Sequence, residues 1–256
     1  MAERLTTHQI AQQNFQEFKD NDMPGRLIVL GLPTPTVDAQ FYLVTGRSES
    51  SQNRVFRRED ENTIWTDYHD HSKKATPEQE ELILYPAMID LGDLHIVSNG
   101  RQTLAIARGI MEGKSFEESL RDQMYEPDPP STPRISGLTK LTNDEYVHHD
   151  YSQIFRPDMD DPAPTRVTSG HYYKAIPGFG RAIRTYIQNG EPLPTFQSHP
   201  YILPMEGETS AEILDFYLKA FDPKFFVAAL AKTIDRNTGV VEVSTADKYN
   251  PQIRTI

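Results

Sequence analysis

The sequence predicts an α+β fold of antiparallel sheets covered by helices, and the order of its elements is the main reason. Strand candidates come as a group, followed by helices, more strands, one helix and a last group of strands. That order differs from the strand–helix alternation of a parallel sheet. The chain has 256 residues, 37% of them apolar and 10% aromatic, which indicates one large packed core or two small ones.

The chain begins with a helix and continues in strands. Thr7 to Asp20 is predicted to be helical, because Thr6 or Thr7 can cap it and its apolar residues form a partial stripe. The strand candidates that follow are rich in β-branched or aromatic residues and are bounded by turn residues. They are Leu27 to Leu32, Gln40 to Thr45, Glu81 to Ile89 and Leu94 to Ser98.

Two helices and a proline-rich loop occupy the middle of the chain. Thr103 to Glu112 is predicted to be a helix that Gly113 ends, and Ser115 with Glu118 is a capping box for a short helix. Glu126 to Pro133 has four prolines in eight residues, a density that neither a helix interior nor a central strand tolerates. This segment is therefore predicted to be an ordered loop or a linker.

The remaining elements are mostly strands. A second proline-rich segment runs from Glu191 to Pro204, and Thr209 or Ser210 caps a helix that continues to Phe221. Asp235 to Gly239 suits a hairpin turn in which glycine supplies a positive φ. The strand candidates are Arg134 to Leu141, Arg166 to Ile176, Arg181 to Gln188, Phe225 to Ile234 and Val240 to Ser244.

Composition excludes several kinds of function. A net charge of -11 repels phosphate backbones and anionic lipid, so neither nucleic acid nor a membrane is expected as a partner. The chain has no cysteine, which excludes disulfides, zinc–cysteine sites and a cysteine nucleophile. A polar N-terminus and the lack of any apolar run of about 20 residues make a cytoplasmic protein the expectation.

Two short segments could bind an anion. The loop from Gly46 to Arg54 follows a predicted strand and holds two arginines, three serines and an asparagine. Such a loop can bind a phosphate through guanidinium, hydroxyl and backbone N–H groups, although these residues are also common in ordinary turns. Asn99 and Gly100 precede a predicted helix, where N–H groups favour anions, but Asn-Gly is also a frequent tight-turn pair.

Two further clusters could carry chemistry. The proline-rich loop could place the carboxylate of Glu126 beside the cation of Arg134, or could simply be a surface connector. On a strand, His69 and His71 would share one face, as zinc ligands can, although their surroundings are polar and resemble a loop. No glycine-rich nucleotide fingerprint and no Gly-x-Ser-x-Gly motif occurs in the chain.

Six segments, in this order and spacing, resemble one family. They are Pro24-Gly25-Arg26, Gly46 to Arg54, Leu84-Tyr85-Pro86-Ala87-Met88, Val97 to Thr103, Tyr125-Glu126-Pro127-Asp128 with Thr132 to Gly137, and Thr185-Tyr186 with Gly190 to Phe196. Together they resemble the IMP cyclohydrolases first associated with archaea, and the resemblance covers roughly residues 24 to 234. It implies a four-layer αββα sandwich of two antiparallel sheets, like that of Ntn hydrolases but without their N-terminal nucleophile.

The resemblance also implies domain boundaries. Residues 1–23 are expected to be an N-terminal helical extension, and residues 24–256 a single domain. A two-domain chain that divides near Pro127 to Pro133 is the competing interpretation. The segment from Tyr146 to Pro164 is longer than the family pattern predicts and is interpreted as an insert.

The reaction implied by the resemblance closes the purine ring of 5-formamidoimidazole-4-carboxamide ribotide to give IMP and water, and its reverse hydrolyses a cyclic amidine C–N bond. The resemblance implies that neither a metal nor another cofactor is needed. The expected catalytic residues are Glu126 for proton transfer, Tyr85 as a hydrogen-bond donor, and Arg47. The expected substrate-binding residues are Arg26, Ser51, Asn53, Arg54, Asn99, Gly100 and Arg134.

The expected partners are a small ribonucleotide substrate and further copies of the chain, because the family tends to form homo-oligomers. The alternative function is that of a paralogue that binds a purine-type ribotide without turnover or acts on a related ribotide. The substrate phosphate must be held by a local cluster of arginines that outweighs the acidic surface. The sequence therefore predicts that Arg47, Asn53, Arg54, Arg134, Tyr85 and Glu126 converge on one pocket.

Overall fold

A computed structural model describes residues 4–141, 147–161, 163 and 165–256. It contains two antiparallel sheets of seven strands each. The first sheet has the order β11-β10-β1-β2-β12-β13-β14. Its strands are β1 (Arg26–Thr34), β2 (Val37–Thr45), β10 (Phe179–Arg184), β11 (Tyr201–Pro204), β12 (Phe226–Asp235), β13 (Val241–Asp247) and β14 (Asn250–Thr255).

The second sheet is a meander, in which each strand pairs with the next strand in sequence. Its strands are β3 (Arg54–Arg58), β4 (Thr63–Tyr68), β5 (Pro86–Leu91), β6 (Leu94–Ser98), β7 (Arg134–Lys140), β8 (His148–Phe155) and β9 (Val167–Lys174). The proline-rich loop from Glu126 to Pro133 is followed directly by β7, which pairs with β6. Segments on both sides of that loop therefore belong to one sheet.

Six α-helices and a single turn of 3-10 helix complete the described part of the chain. The α-helices are α1 (Thr7–Lys19), α2 (Glu49–Gln52), α3 (Pro77–Ile83), α4 (Gln102–Met111), α5 (Phe116–Ser119) and α6 (Ser210–Ala220). Capping boxes at Thr6, Ser115 and Thr209 fix the starts of α1, α5 and α6. The box at Ser115 is confirmed, and of the two cap candidates that the sequence offered for α1 and for α6, Thr6 and Thr209 are the caps. None of the helices in the described residues is long and apolar enough to cross a membrane.

The helices and sheets stack in four layers. Alternate residues of β1 point to opposite faces of the first sheet, so Leu27 and Val29 pack with α1 and α6 while Ile28 and Leu30 pack against the second sheet. On the far face of the second sheet, Ile96 and Leu138 pack with α4 and α5. The predicted αββα sandwich of antiparallel sheets is confirmed.

Two predicted strands have wrong bounds. The strand predicted from Arg181 to Gln188 is β10, which ends at Arg184, and beyond it Tyr186 forms only an isolated bridge with Thr195. The strand predicted from Glu81 to Ile89 is wrong over its first residues. Glu81 to Ile83 belong to α3, and the strand β5 begins only at Pro86. Pro77 stands at the first turn of α3, where its missing N–H is tolerated, and two glutamates in that turn suit the helix dipole. The apolar run from Leu82 to Tyr85 is thus the end of a helix followed by an extended connection.

Several elements had no counterpart in the sequence prediction. The strands β3 and β4 lie in a polar stretch, β8 lies in the segment interpreted as an insert, and β11 ends the second proline-rich segment. Of that insert, residues 146, 162 and 164 lie outside the described part of the chain, as do residues 1–3 of the N-terminal extension. The hairpin turn before β13 is confirmed, with Gly239 at a φ of 71°.

Candidate active site

A cluster of buried polar side chains lies between the two sheets, at one end of the sandwich. Arg26, Arg54 and Arg134 are the first residues of β1, β3 and β7, and Tyr85 directly precedes β5. Adjacent antiparallel strands run in opposite directions, so the first residue of one strand lies beside the last residues of its neighbour. Arg26 therefore lies next to Thr45, the last residue of β2, and Arg54 lies opposite Tyr68, the last residue of β4. Residues far apart in sequence therefore meet at one site.

Backbone geometry at Gly25 places the first of these arginines. Gly25 has a φ of 76°, and a Cβ there would lie 2.1 Å from Oγ1 of Thr185. The hydroxyl of Thr45 donates to the Gly25 carbonyl over 2.9 Å, and the backbone N–H of Arg26 donates to Thr185 Oγ1 over 3.0 Å. Only glycine fits this conformation and this space, which explains its place before Arg26.

Two adjoining cavities open from the cluster. The smaller one has a volume of about 150 Å³ and the larger one about 370 Å³. Arg26, Ser48, Ser51 and Asp128 line both cavities, so the two are parts of one cleft. The smaller cavity is also lined by Ser50, Arg54, Gln79, Leu82, Ile83 and Glu126, and the larger one by Met23, Gly46, Arg47, Pro129, Pro130, Thr132, Tyr186 and Leu193.

Arg54 is a buried cation with free donors. Its side chain is 1% exposed, and its Nε donates to the Ser51 carbonyl over 2.9 Å. Its two terminal nitrogens, Nη1 and Nη2, are buried and have no hydrogen-bond partner among the residues that the structure describes. Burial, and then the neighbouring Arg26, lower the pKa of Arg54 to about 10. Because a buried cation with unbonded N–H groups is costly, binding of an anion or a carbonyl oxygen to this guanidinium is favourable.

Glu126 supplies a buried carboxyl group to the same cavity. It is 2% exposed, and its Oε1 accepts a hydrogen bond from Arg134 Nη1 over 3.2 Å. Burial raises the pKa of Glu126 above its ordinary value, and the opposing effects of Arg134, Arg26 and Arg54 are smaller. A carboxylate with a raised pKa is a better proton acceptor than an exposed one.

Two tyrosines stand next to these charges. Tyr85 and Tyr42 are fully buried, and their hydroxyl groups share a hydrogen bond of 2.8 Å. Burial raises the pKa of Tyr42 well above its ordinary value. The Tyr42 hydroxyl therefore stays protonated near neutral pH. Because one hydroxyl of the pair donates to the other, one O–H is left to donate to a ligand.

Arg47 lies at the rim of the cleft. Its Nη1 donates to Asn189 Oδ1 over 3.2 Å and to the Gly190 carbonyl over 3.0 Å, and its Nη2 contacts Glu191 Oε2 at 3.3 Å. The side chain is 35% exposed, while that of Glu191 is 88% exposed. These contacts connect the loop before α2 to the second proline-rich segment across the opening of the larger cavity.

Three of the expected residues make contacts within the protein. Asn53 donates from Nδ2 to the carbonyls of Asp70 and Lys73 and accepts from the N–H of Asp70, so it holds a turn after β4. Asn99 bonds to the backbone around Arg134, and Gly100 lies directly under the Arg134 guanidinium. Their contact with a substrate stays a prediction.

Several residues in or beside the cleft had no predicted role. Tyr42 occupies a β2 position that cannot be distinguished by pattern from an ordinary core residue. Asp128 is linked through Thr132 to Tyr186, because the Tyr186 hydroxyl and Thr132 Oγ1 are 2.6 Å apart and Thr132 Oγ1 donates to Asp128 Oδ2. The Glu-Pro-Asp sequence beside Glu126 was the available signal for Asp128.

The strand geometry that would make His69 and His71 a possible metal site is not observed. Strand β4 ends at Tyr68, so the two histidines do not alternate along a strand. The His69 ring stacks on Tyr249 with a centroid distance of 3.7 Å, and His71 Nε2 lies 3.4 Å from Asp67. In the described part of the chain, no group of three or more His, Asp or Glu side chains is arranged to hold a metal ion.

Comparison with known proteins gives one family. The family model described as "IMP cyclohydrolase-like protein" matches residues 23–238, which confirms the resemblance seen in the sequence. No curated protein matched the chain. The match includes every residue of the cleft named above, and it indicates a cyclohydrolase-type function. The chain belongs to the IMP cyclohydrolase-like family.

Proposed function

We propose that the chain closes the purine ring of 5-formamidoimidazole-4-carboxamide ribotide to form IMP. The carboxamide nitrogen attacks the formyl carbon, and a new C–N bond forms. The formyl oxygen then leaves as water, carrying one proton from the carboxamide nitrogen and one from the formamide nitrogen. The reaction requires a folded substrate, a donor to the formyl oxygen and a group that moves protons.

The single observation that carries the proposal is the pairing of Arg54 with Glu126 in one cavity. Arg54 has two buried terminal nitrogens that find no partner in the described part of the chain, and Glu126 is a buried carboxyl with a raised pKa. The first group favours an anionic or carbonyl oxygen, and the second favours proton transfer. A protein with a net charge of -11 needs such a local cluster to bind a phosphorylated substrate.

Each residue then has a specific task. Glu126 accepts the proton of the attacking carboxamide nitrogen and delivers it toward the departing oxygen. Tyr85, whose hydroxyl is paired with Tyr42, donates to the formyl or carboxamide oxygen. Arg134 orients Glu126 and can contact a carbonyl oxygen. The other residues expected to hold the ribotide are Arg26, Arg47, Ser51, Asn53, Arg54, Asn99 and Gly100.

The test is an absorbance assay that follows conversion of the formylated ribotide to IMP by the purified chain. The purified chain is first analysed for metal and dialysed against a chelator. Turnover by a preparation that holds no stoichiometric metal supports the proposal. Stoichiometric zinc whose removal abolishes turnover would instead support metal-dependent hydrolysis.

The binding alternative is decided by the same preparation. A paralogue that only binds a purine-type ribotide would show micromolar affinity for IMP in calorimetry with no turnover of the formylated ribotide. Turnover of a related ribotide, with none of this one, would keep the site and change the substrate.

A further inference from the structure

The backbone on both sides of Arg134 is held by one buried side chain, that of Asn99. Asn99 Nδ2 donates to the Pro133 carbonyl over 2.8 Å, and Asn99 Oδ1 accepts from the Ile135 N–H over 2.7 Å. The backbone N–H of Asn99 donates to the Ile135 carbonyl over 3.2 Å. Asn99 is fully buried, and these three bonds fix the residues before and after Arg134.

The neighbouring Gly100 leaves the space that the Arg134 side chain fills. A Cβ built on Gly100 would lie 1.6 Å from Arg134 Nη1 and 2.7 Å from Arg134 Cζ. Gly100 has an ordinary negative φ, so the conformation itself does not require glycine. The steric requirement comes chiefly from the guanidinium, because no real Cβ approaches another heavy atom as closely as 1.6 Å, and secondly from Gln102 Oε1, which would lie 2.7 Å away.

The same guanidinium is bound to the carboxyl of Glu126. Arg134 Nη1, the atom nearest to the missing Cβ, is the one that donates to Glu126 Oε1. Other charged or titratable groups facing Glu126 are Arg26 on β1, Arg54 on β3, Asp128 in its own loop and Tyr186 after β10. Any group that displaces Arg134 thus removes one of three cations that favour the ionised carboxylate.

We propose that Asn99 and Gly100 are positioning residues for the Arg134–Glu126 pair: Asn99 fixes the backbone around Arg134, and Gly100 provides the space for its guanidinium. Their role in turnover rests on the proposed function of Glu126 as the proton-transfer group. Their role in geometry does not, because it concerns the protein without substrate.

The test is a titration of Glu126 in the substrate-free protein by carbon-13 NMR of its side-chain carboxyl, assigned from the signal lost in Glu126→Gln. Gly100→Ala is expected to raise the measured pKa of Glu126 by about 1 or more, at the low end of the effect of an opposite charge. Asn99→Ala is expected to shift it in the same direction. In a kinetic assay, the acid limb of the kcat–pH profile should move to higher pH together with the pKa of Glu126. Loss of folded protein alone would lower kcat without moving that limb.

A double-mutant cycle shows whether Gly100 acts through Arg134. Arg134→Ala should raise the pKa of Glu126 by itself, and Gly100→Ala should add almost nothing in that background. Gly170→Ala is the matched control, since a Cβ there meets only Glu117 Cγ at an ordinary 3.7 Å. If Gly100→Ala fails to fold, the Gly100→Ala/Arg134→Ala protein should recover folding, because the clash with the guanidinium is gone and the remaining close atom, Gln102 Oε1 at 2.7 Å, is the end of a side chain that can rotate into the space left by Arg134.

An unchanged pKa of Glu126 in Gly100→Ala would overturn the proposal, and so would equal pKa shifts from Gly100→Ala with and without Arg134. The proposal would also be wrong if neither Gly100→Ala nor Gly100→Ala/Arg134→Ala folds while Arg134→Ala does. Failure of the proposed function is a separate result. In that case the titrations would change as expected, while no ribotide would be turned over.

Discussion

Arg54 is a residue whose burial opposes stability. Its guanidinium lies beside that of Arg26, and two of its nitrogens lack hydrogen-bond partners within residues 4–141, 147–161, 163 and 165–256. Arg54→Met keeps most of the volume and removes the charge, so we expect Tm to rise by at least about 2 °C, the effect of about 1 kcal/mol in a chain of this size. The stabilisation that millimolar IMP gives the wild type should be lost in Arg54→Met, because ligand binding stabilises only a protein that binds. Thermal melts with and without IMP measure both effects.

The matched control for that substitution is Arg57→Met. Arg57 lies on the same strand, but its side chain is 55% exposed and its Nε contacts Asp67 Oδ2 at 2.6 Å. Its loss should change Tm little and leave the IMP effect intact. A lower Tm in Arg54→Met together with an unchanged response to IMP would show that the Arg54 guanidinium is a structural cation and no part of a binding site.

Glu126 links activity to pH. Glu126→Gln should lower kcat by about 10²–10⁴, the usual contribution of a positioned proton-transfer group, with a much smaller effect on KM. Because burial raises the folded-state pKa of Glu126 above its unfolded value of about 4.3, protonation stabilises the fold. That stabilisation is complete below about pH 4.3 and is lost as pH rises through the raised pKa.

The glutamine variant resembles the neutral carboxyl at every pH. It should therefore be more stable than the wild type at pH 7.5, and the difference should disappear near pH 4. Denaturant unfolding at both pH values measures it. A variant that is less stable at pH 7.5 would mean that the ion pair with Arg134 outweighs the desolvation of Glu126.

The sequence predicted part of this cleft in two ways: the residue types of two loops indicated Arg54, Glu126 and Arg134, and the family resemblance indicated Arg26. Arg26, Arg54 and Glu126 line the smaller cavity, and Arg134 bonds to Glu126 beside it. Such signals do not predict the direction in which a side chain points. Asn53 turns to the carbonyls after β4, and no pattern separates Tyr42 from the other core residues of β2.

At the scale of elements, one buried ion pair connects the two sheets. Asp90 on β5 accepts from the ammonium of Lys232 on β12, and the ring of His95 on β6 contacts the same carboxylate oxygen at 2.9 Å. Lys232 is 1% exposed. Burial alone would raise the pKa of Asp90, but Lys232 and His95 outweigh it and hold the pKa at about 2. The pair thus stabilises the contact between β5 and β12.

Removing the carboxylate should leave Lys232 as an unpaired buried charge. We expect Asp90→Asn to lower the free energy of unfolding at pH 7 by about 3–5 kcal/mol. The unfolded pKa of Asp is about 3.9 and the folded value of Asp90 is about 2, so the contribution is present above pH 3.9 and is lost toward pH 2. Urea unfolding measured from pH 7 to pH 2.5 should show that the difference in unfolding free energy between the wild type and Asp90→Asn becomes smaller as pH falls.

The double variant Asp90→Asn/Lys232→Met is the control for this pair. It removes both charges, so most of the lost stability should return. A double variant as unstable as Asp90→Asn would indicate that packing, rather than the unpaired charge of Lys232, explains the loss.

A second connection between elements lies at the rim of the cleft. Arg47, before α2, contacts Glu191 in the proline-rich segment, and a substrate phosphate would compete with that carboxylate for the guanidinium. Arg47→Ala should raise KM, while Glu191→Ala should leave KM equal or lower it by less than about fivefold, since exposed pairs are weak. Initial rates at low and high salt measure this, and the effect of Glu191→Ala should fade at high salt. A rise in KM in Glu191→Ala would mean that the pair holds the cleft in its binding conformation.

Elements with strong local signals were the ones that the sequence predicted. A capping box marked the start of α5, threonine cap candidates marked the starts of α1 and α6, and Gly239 marked the hairpin turn before β13. The missed strands lack such signals. Arg54 to Arg58 has three arginines in five residues, and β4 shows its alternation only when its buried residues Ile64, Thr66 and Tyr68 are known. Tertiary packing decides the structure of such segments.

At the scale of the whole molecule, two sheets of seven strands have four edges, and three of them are protected. Strand β11 has four residues and is covered by α1, whose Asn14 donates to the Ile202 carbonyl over 2.8 Å. Strand β14 contains Pro251, and the final carbonyl after it accepts from Arg58 of the edge strand β3 over 2.7 Å. Short strands, prolines, charges and covering helices are the usual means that prevent edge-to-edge pairing.

The fourth edge, β9, differs from the others. In the described residues no strand pairs with its outer side, it contains no proline, and Lys174 is its one residue of the Lys, Arg, Asp and Glu types. Tyr172 is 64% exposed and Val167 is 37% exposed. A long, weakly charged edge with exposed apolar side chains favours pairing with another strand, and an antiparallel strand of the same sequence can supply one across a two-fold axis.

We therefore expect the chain to form a dimer in which β9 of each copy pairs with the other, so that two seven-stranded sheets become continuous. Light scattering after size-exclusion chromatography should give twice the 29.2 kDa chain mass at micromolar concentration. Tyr172→Lys with Val167→Lys should produce monomers, because charges on an edge oppose pairing. Met111→Lys, at a position 71% exposed near the end of α4, is the control and should remain dimeric. A wild type that is monomeric at every concentration, or a dimer that persists with both lysines in β9, would show that this edge is not the interface.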